Sequence, residues 1–204
     1  HSFPSRRSSE RLLLDYIGDL GWNIGYPALP MDTKQARANI SSISYLFNPE
    51  RKILKQVETK VYFNHIYHDM DNALRAEIPM RMDMPGWSYT IGAYADMNLD
   101  AGERNQLYLR ADYYANYTLA RMTMYPLNAP VMHMLTLPQN IRHFTGVYAS
   151  DQWNITQMHI LKFNIRGEIM HANLLSEQGK QQWNIFTTKS TTSDKLLPSA
   201  CLEY

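Results

Sequence analysis

The feature that most constrains the fold of this chain is a two-residue alternation of apolar and polar side chains over long runs. In ILKFNIRGEIMH, residues 160–171, one side of an extended chain carries Leu161, Phe163, Ile165 and Ile169, and the other carries Lys162, Asn164, Arg166 and Glu168. Successive side chains of a β-strand point to opposite faces, whereas a helix repeats every 3.6 residues. The alternation therefore predicts strands with two chemically different faces.

The same alternation recurs along the chain. It is clear at 56–70, 88–99 and 105–124, and weaker at 38–47, 141–154 and 183–192. Two of the runs reach roughly 15–20 residues, whereas strands of globular proteins usually have 3–10. We predict an all-β, antiparallel fold of about seven strands.

The connections between these strands alternate in length. Short ones lie at 48–52, 101–104 and 156–159, and long ones at 76–87, 125–140 and 174–183. Outer-membrane barrels combine long alternating strands, short periplasmic turns and long extracellular loops. A soluble sheet with one solvated face gives the same alternation and remains an alternative. Strand length and loop asymmetry favour a segment of an antiparallel transmembrane β-barrel.

Composition excludes several classes of function. The 20 Lys and Arg residues nearly cancel the 19 Asp and Glu residues, so the charge offers no basis for binding nucleic acid. The single cysteine, Cys201, cannot form an internal disulfide or a thiolate metal site alone, and its role stays open. The sequence has no 18-residue apolar run, and its first residues do not form a secretory signal. It contains no phosphate-binding Gly-rich loop, zinc-peptidase helix or serine nucleophile elbow, so we expect a protein that is not an enzyme.

Four segments resemble one known family, the TonB-dependent outer-membrane receptors. TGVYASDQWNITQMHILKFNIRGE, at 145–168, resembles the family's strand–turn–strand signature. KVYFNHIYHDMDNALR, at 60–75, is similar to a barrel segment of the same family, especially of the branch associated with copper. NPERK with the following ILKQVETKVYF resembles a turn and rising strand, and GYPALPMD at 25–32 a loop-to-strand transition. The likeness covers roughly residues 20–190.

The resemblance implies a bacterial outer-membrane location and contact with outer-membrane lipid. It also implies energised import through the TonB complex, which acts on a plug domain inside the barrel. Nothing in this chain resembles that plug or its energy-coupling box, and seven strands cannot close a bacterial barrel, which has an even number from 8 upward. We therefore expect residues 1–204 to be part of one barrel domain, partnered by the rest of the receptor barrel or other outer-membrane proteins.

Methionine and histidine concentrate at the ends of the strands that lead into the long loops. The candidate metal ligands are His68, Met70, Met80, Met82, Met84, Met122, Met124, Met132, His133 and Met134. Strand parity places His68, Met70, Met122 and Met124 on the polar, lumen-facing side. Thioethers with imidazoles favour Cu(I), so these residues predict capture of a copper ion or a metal chelate as transported ligand, with no covalently bound cofactor.

Two other functions stay open. Methionine also fills gaps in packed loops, in which case the chain belongs to a siderophore, haem or peptide importer with incidental methionines. The second alternative is a soluble all-β module for binding or adhesion at the cell surface.

Overall fold

All strands of the computed structural model form one antiparallel sheet, and the structure describes residues 9–26, 30–49, 51–76 and 78–204. The strands are β1 Ser9–Ile24, β2 Asp32–Asn48, β3 Leu54–Asp71, β4 Arg81–Asp100, β5 Asn105–Tyr125, β6 Met132–Asn154, β7 Ile160–Leu174 and β8 Thr192–Glu203, with one helix, α1, at Glu177–Phe186. Each strand pairs with its neighbours in sequence. Within the described ranges, β1 and β8 each pair along one edge only, so the sheet is not closed. The predicted antiparallel all-β fold is confirmed, with eight strands rather than about seven.

Three elements differ from the sequence prediction: β1 and β8, which it lacks, and α1. The sequence analysis did not predict β1, because its apolar alternation is interrupted by Asp15, Gly18, Asp19 and Gly21. The strand predicted at 183–192 is wrong, because α1 occupies Glu177–Phe186. The hydroxyl of Ser176 accepts a hydrogen bond from the backbone N–H of Gly179, at 3.1 Å, and so caps the first turn of this helix.

Strands β4 and β6 are longer than predicted, because each contains a proline that the sequence analysis assigned to a loop. Pro85 is in β4, in a stretch without ladder pairing to β5, and Pro138 lies in β6 where the register with β5 shifts. A strand tolerates proline at such places, where no ladder hydrogen bond is lost. The predicted loops at 76–87 and 125–140 therefore shrink to 72–80 and 126–131.

The connections still differ between the two ends of the sheet. The outer end carries the connections 25–31, 72–80, 126–131 and 175–191, and the inner end carries 49–53, 101–104 and 155–159. The predicted loop-to-strand transition at 25–32 includes residues 27–29, which lie outside the described residues. The predicted asymmetry is present, mainly through the connection that contains α1.

The even-numbered residues of β3–β7 form the polar face of the sheet. Arg166 donates hydrogen bonds to Asp112, at 2.9 and 3.0 Å, and to Glu168, at 2.9 Å. This fork crosses Gly146, where a Cβ atom would lie 2.6 Å from the Arg166 Nη2 atom. Only glycine leaves room for the fork at this position.

The odd-numbered residues of the same strands form the apolar face. Val147 and Ile165 are each 61% exposed, and Val61, Ile91 and Ile169 are also exposed. Towards the outer end this face carries an aromatic band, in which Tyr89 stacks on His65 and approaches Tyr117, while Tyr67 packs against Trp87. An apolar face edged by aromatic rings matches the lipid-facing wall of a barrel. Among the described residues, no helix is both long and apolar enough to cross a membrane.

Candidate functional site

The methionines near the outer end lie opposite one another across adjacent strands. Met70 of β3 pairs with Met84 of β4. Met82 of β4 pairs with Met124 of β5. Across β5 and β6, Met124 pairs with Met132, and Met122 with Met134. We call these seven residues the methionine patch: Met70, Met82, Met84, Met122, Met124, Met132 and Met134.

All members of the methionine patch lie on the polar face. Each has an even number, and its cross-strand partner in the patch, from β3 to β6, also has an even number. Side chains directly opposite on one face of an antiparallel pair have Cβ atoms about 4.5–5.5 Å apart. A flexible thioether spans such a gap easily. The sheet therefore holds sulfur atoms from four adjacent strands within reach of one another.

His68 adds an imidazole to the same face, two residues before Met70. Its Nε2 atom lies 2.8 Å from the hydroxyl oxygen of Thr33, a residue with no exposed surface. Thr33 follows the connection 25–31 and pairs with Met70 in the register of β2 and β3. With Nε2 engaged by the hydroxyl, Nδ1 is the nitrogen left to bind a ligand.

The structure does not bring the other two candidates into the patch. His133 pairs with Thr123 on the apolar face, where its Nδ1 atom lies 3.3 Å from the Thr123 hydroxyl. Met80 precedes β4, in the connection 72–80. Its carbonyl oxygen accepts a hydrogen bond of 2.8 Å from the Asn72 amide.

Two side chains that sequence reasoning missed hold the outer connections in place. Asn72, only 2% exposed, donates to Met80 O and accepts from the backbone N–H of Met82, at 2.9 Å. Arg75 donates to both carboxylate oxygens of Asp32, at 2.9 and 2.5 Å, and to the carbonyl of Tyr26, at 2.8 Å. These bonds join the connection 25–31 to the connection 72–80.

The donor set at the outer end is therefore soft and nearly neutral. Among the described residues, no group of three or more His, Cys, Asp and Glu side chains is arranged to hold a metal ion. Thioethers with one imidazole suit Cu(I) better than the harder divalent cations. Cys201 lies elsewhere, exposed in β8 near the inner end and opposite Asn164.

No protein-family model and no curated protein matches the chain. Several solved structures do match it. The chain is similar to a structure described as "Copper transporter OprC", with a TM-score of 0.71 and 18% identity over 87% of this chain and 28% of that one. It is also similar to the ferric yersiniabactin uptake receptor FyuA from Yersinia pestis, with a TM-score of 0.53 and 9% identity over 96% of this chain and 30% of that one.

The chain therefore has the fold of a β-barrel segment from a TonB-dependent receptor, as the sequence resemblance implied. The two neighbours named above are described as a transporter and an uptake receptor. The chain spans less than a third of the length of either. At these identities the likeness establishes the fold.

Proposed function

We propose that this chain is part of the wall of an outer-membrane TonB-dependent receptor that captures copper at the methionine patch for energised import. The observation that carries the proposal is the placement of seven thioethers on one face of four adjacent strands, with His68 beside them. The similarity to a protein described as a copper transporter supports it.

The two faces support a membrane location. A wall of exposed Val, Ile and Leu side chains is stable against hydrocarbon, and the opposite face of paired charges is stable in a water-filled lumen. The free edges of β1 and β8 would then pair with further strands, because unpaired backbone groups are costly in lipid. Energy would reach the site through a plug domain outside this chain, moved by the TonB complex.

The strand lengths support a position of the methionine patch outside the bilayer. A tilted strand needs about 9–11 residues to cross the hydrocarbon core. Strands β3 to β6 have 18, 20, 21 and 23 residues, so their outer halves extend beyond the membrane. The patch occupies these outer ends and faces the lumen, where an incoming ion arrives first.

The chemistry of the patch suits this role. A thioether is neutral and binds metal without losing a proton, so capture by sulfur does not compete with protonation as capture by thiolate does. Cu(I) accepts such soft ligands, with the imidazole of His68 as a further donor. Because the ligands are numerous and weak individually, an ion can move from one cross-strand pair to the next.

A triple variant tests the proposal. Replacement of Met82, Met84 and Met124 by leucine keeps side-chain volume and removes three sulfurs from the patch. We expect the intact protein to bind Cu(I) at least about tenfold more weakly, which is about 1.4 kcal/mol, in anaerobic competition with a chromophoric Cu(I) chelator.

The matched control replaces two methionines away from the patch. Met97 lies on the apolar face, and Met158 is exposed in the connection 155–159 at the inner end. Substitution of both by leucine should leave Cu(I) affinity unchanged. Equal affinities of wild type and the triple variant would remove the patch from the function.

A second candidate is import of a metal chelate, which the similarity to a siderophore receptor favours. In that case the triple variant would retain uptake of the intact chelate while free Cu(I) binding is lost. Uptake assays with free copper and with chelated metal separate the two functions.

A further inference from the structure

We propose that the apolar face carries, just beyond its aromatic band, a binding site for the phosphorylated sugar headgroup of an outer-leaflet glycolipid. The site is a cavity of 580 Å³ beside the start of α1, over the outer ends of β4, β5 and β6. The inference rests on the membrane location given in the proposed function and does not depend on metal capture.

The register assigns the cavity to the lipid-facing side of the sheet. Trp87 pairs with Leu119, Arg121 with Leu135, and Thr123 with His133. All six have odd numbers, as do the exposed aliphatic residues lower on the same strands. The methionine patch has even numbers and belongs to the opposite face, although two of its members, Met122 and Met134, alternate with these residues and also border the cavity.

The helix α1 forms one side of the cavity. Gln182 donates a hydrogen bond of 2.8 Å to the carbonyl of Leu135, which fixes the helix against β6. Leu119 and Leu135 are each 8% exposed and form an apolar floor. Ser176 and Gln178, at the start of the helix, line the cavity with a hydroxyl and an amide.

The charge of the cavity favours an anion. Arg121 and His133 line it, and within the described part of the chain no carboxylate does. Arg121 makes no ion pair with any described residue. The acids that flank the site are paired, Asp83 with Arg81 at 3.6 Å and Glu177 with Lys180 at 2.8 Å.

The lining residues match the parts of a phosphorylated sugar. A guanidinium fork binds phosphate oxygens in two directions, and an indole offers an apolar surface to a sugar ring. The amides of Gln139 and Gln178 can bond sugar hydroxyls.

The height of the cavity matches the lipid headgroup. Trp87 belongs to the aromatic band, which marks the membrane interface. On β5, Leu119 is the partner of Trp87, and Thr123 is the partner of His133. Arg121 lies two residues beyond Leu119, and Thr123 lies four residues beyond it. At about 3.3 Å per residue these steps are roughly 7 and 13 Å along the strand. The guanidinium of Arg121 and the imidazole of His133 therefore stand where headgroup phosphates begin.

The test measures lipopolysaccharide binding by the intact protein in phospholipid nanodiscs. The double variant Arg121→Gln with His133→Gln should bind at least about tenfold more weakly than wild type, since each change removes a charge-assisted hydrogen bond. Trp87→Leu should weaken binding without changing the charge. The matched control is Arg37→Gln. This exposed arginine lies opposite Tyr67, which in turn lies opposite Trp87, but it does not line the cavity.

Three results would overturn the inference. One is unchanged lipopolysaccharide binding by the double variant, and another is an equal loss in Arg37→Gln, which would indicate only surface charge. The third is equal affinity for a soluble phosphorylated glucosamine, which would make the ligand a free sugar rather than a lipid. A protein that does not insert into the bilayer at all would overturn the proposed function together with this site, whereas the three results above leave the membrane location intact.

Discussion

Thr33 contributes one hydroxyl group to the outer end of the sheet, and that group restricts how His68 can act. The hydroxyl lies 2.8 Å from Nε2, so the imidazole cannot rotate freely and Nδ1 faces away from the bond. Partners of this kind orient a ligating histidine and fix its tautomer. Thr33 is thus a positioning residue in the proposed copper site.

Thr33→Val tests this role because it keeps the shape of the side chain and removes the hydrogen bond. We expect Cu(I) affinity to fall by about tenfold, and Thr33→Ser to restore it. Nitrogen NMR shifts of the His68 ring should show a mixed tautomer in the valine variant only. If Thr33→Val binds copper as wild type does while His68→Ala does not, the threonine has no such role.

At this scale, sequence reasoning identified the candidate ligands but not the side chains that hold them in position. The methionines are recognisable because sulfur is uncommon and strand parity assigns each of them to a face. Thr33 and Asn72 are ordinary polar residues in sequence, and their partners depend on which strands become neighbours. His133 lies outside the patch because its neighbours in sequence, Met132 and Met134, point to the other face.

Among the elements, the two outer connections 25–31 and 72–80 behave as one unit because Arg75 binds both Asp32 and Tyr26. The hydrogen bond from Arg75 holds the pKa of the Asp32 carboxyl below its usual value. A lowered pKa means that the contact stabilises the folded state above the unfolded pKa of about 3.9. The stabilisation is lost as the pH falls through the lower, folded pKa.

Amide hydrogen exchange checks this prediction at Tyr26, whose backbone N–H donates to Asp32 at 3.1 Å. We expect protection of this amide above about pH 4 and its progressive loss below that value. The Arg75→Gln variant should lose protection at higher pH than wild type. Protection in wild type that persists unchanged well below pH 3 would show that the carboxylate charge is not what holds the two connections together.

The sequence pattern predicted the central parts of the strands, but it did not predict where the strands end. Alternation is strong wherever one face is apolar and the other polar, as along β5 and β7. Towards the outer ends of the strands both faces are polar or mixed, so the pattern fades, and Pro85 and Pro138 indicate loops. Helix α1 has too few apolar residues for a clear helical period, and its capping serine is visible only once the helix is known.

On the scale of the molecule, the decisive property is the difference between the two faces of the sheet. Ile165→Arg places a charge on the apolar face near its middle. We expect this variant to lose roughly 2–4 kcal/mol of stability in lipid vesicles, because a cation at the bilayer midplane is costly. Denaturant-induced unfolding of the intact protein in vesicles measures the loss.

The control is Cys201→Arg, one strand away on the polar face and beside Glu203. An arginine there meets water and a carboxylate, so the loss should be much smaller. Equal losses in the two variants would contradict a lipid-facing role for the apolar face, and would favour a soluble sheet.

The position of the methionine patch on hydrogen-bonded strands, rather than in loops, has a consequence for how such a surface evolves. The ladder fixes the backbone beneath each sulfur, so the proposed copper capture would order side chains only. The connection 126–131 can then change length and sequence without moving a ligand of the proposed copper site, whereas the connection 72–80 is tied to Met82 through Asn72.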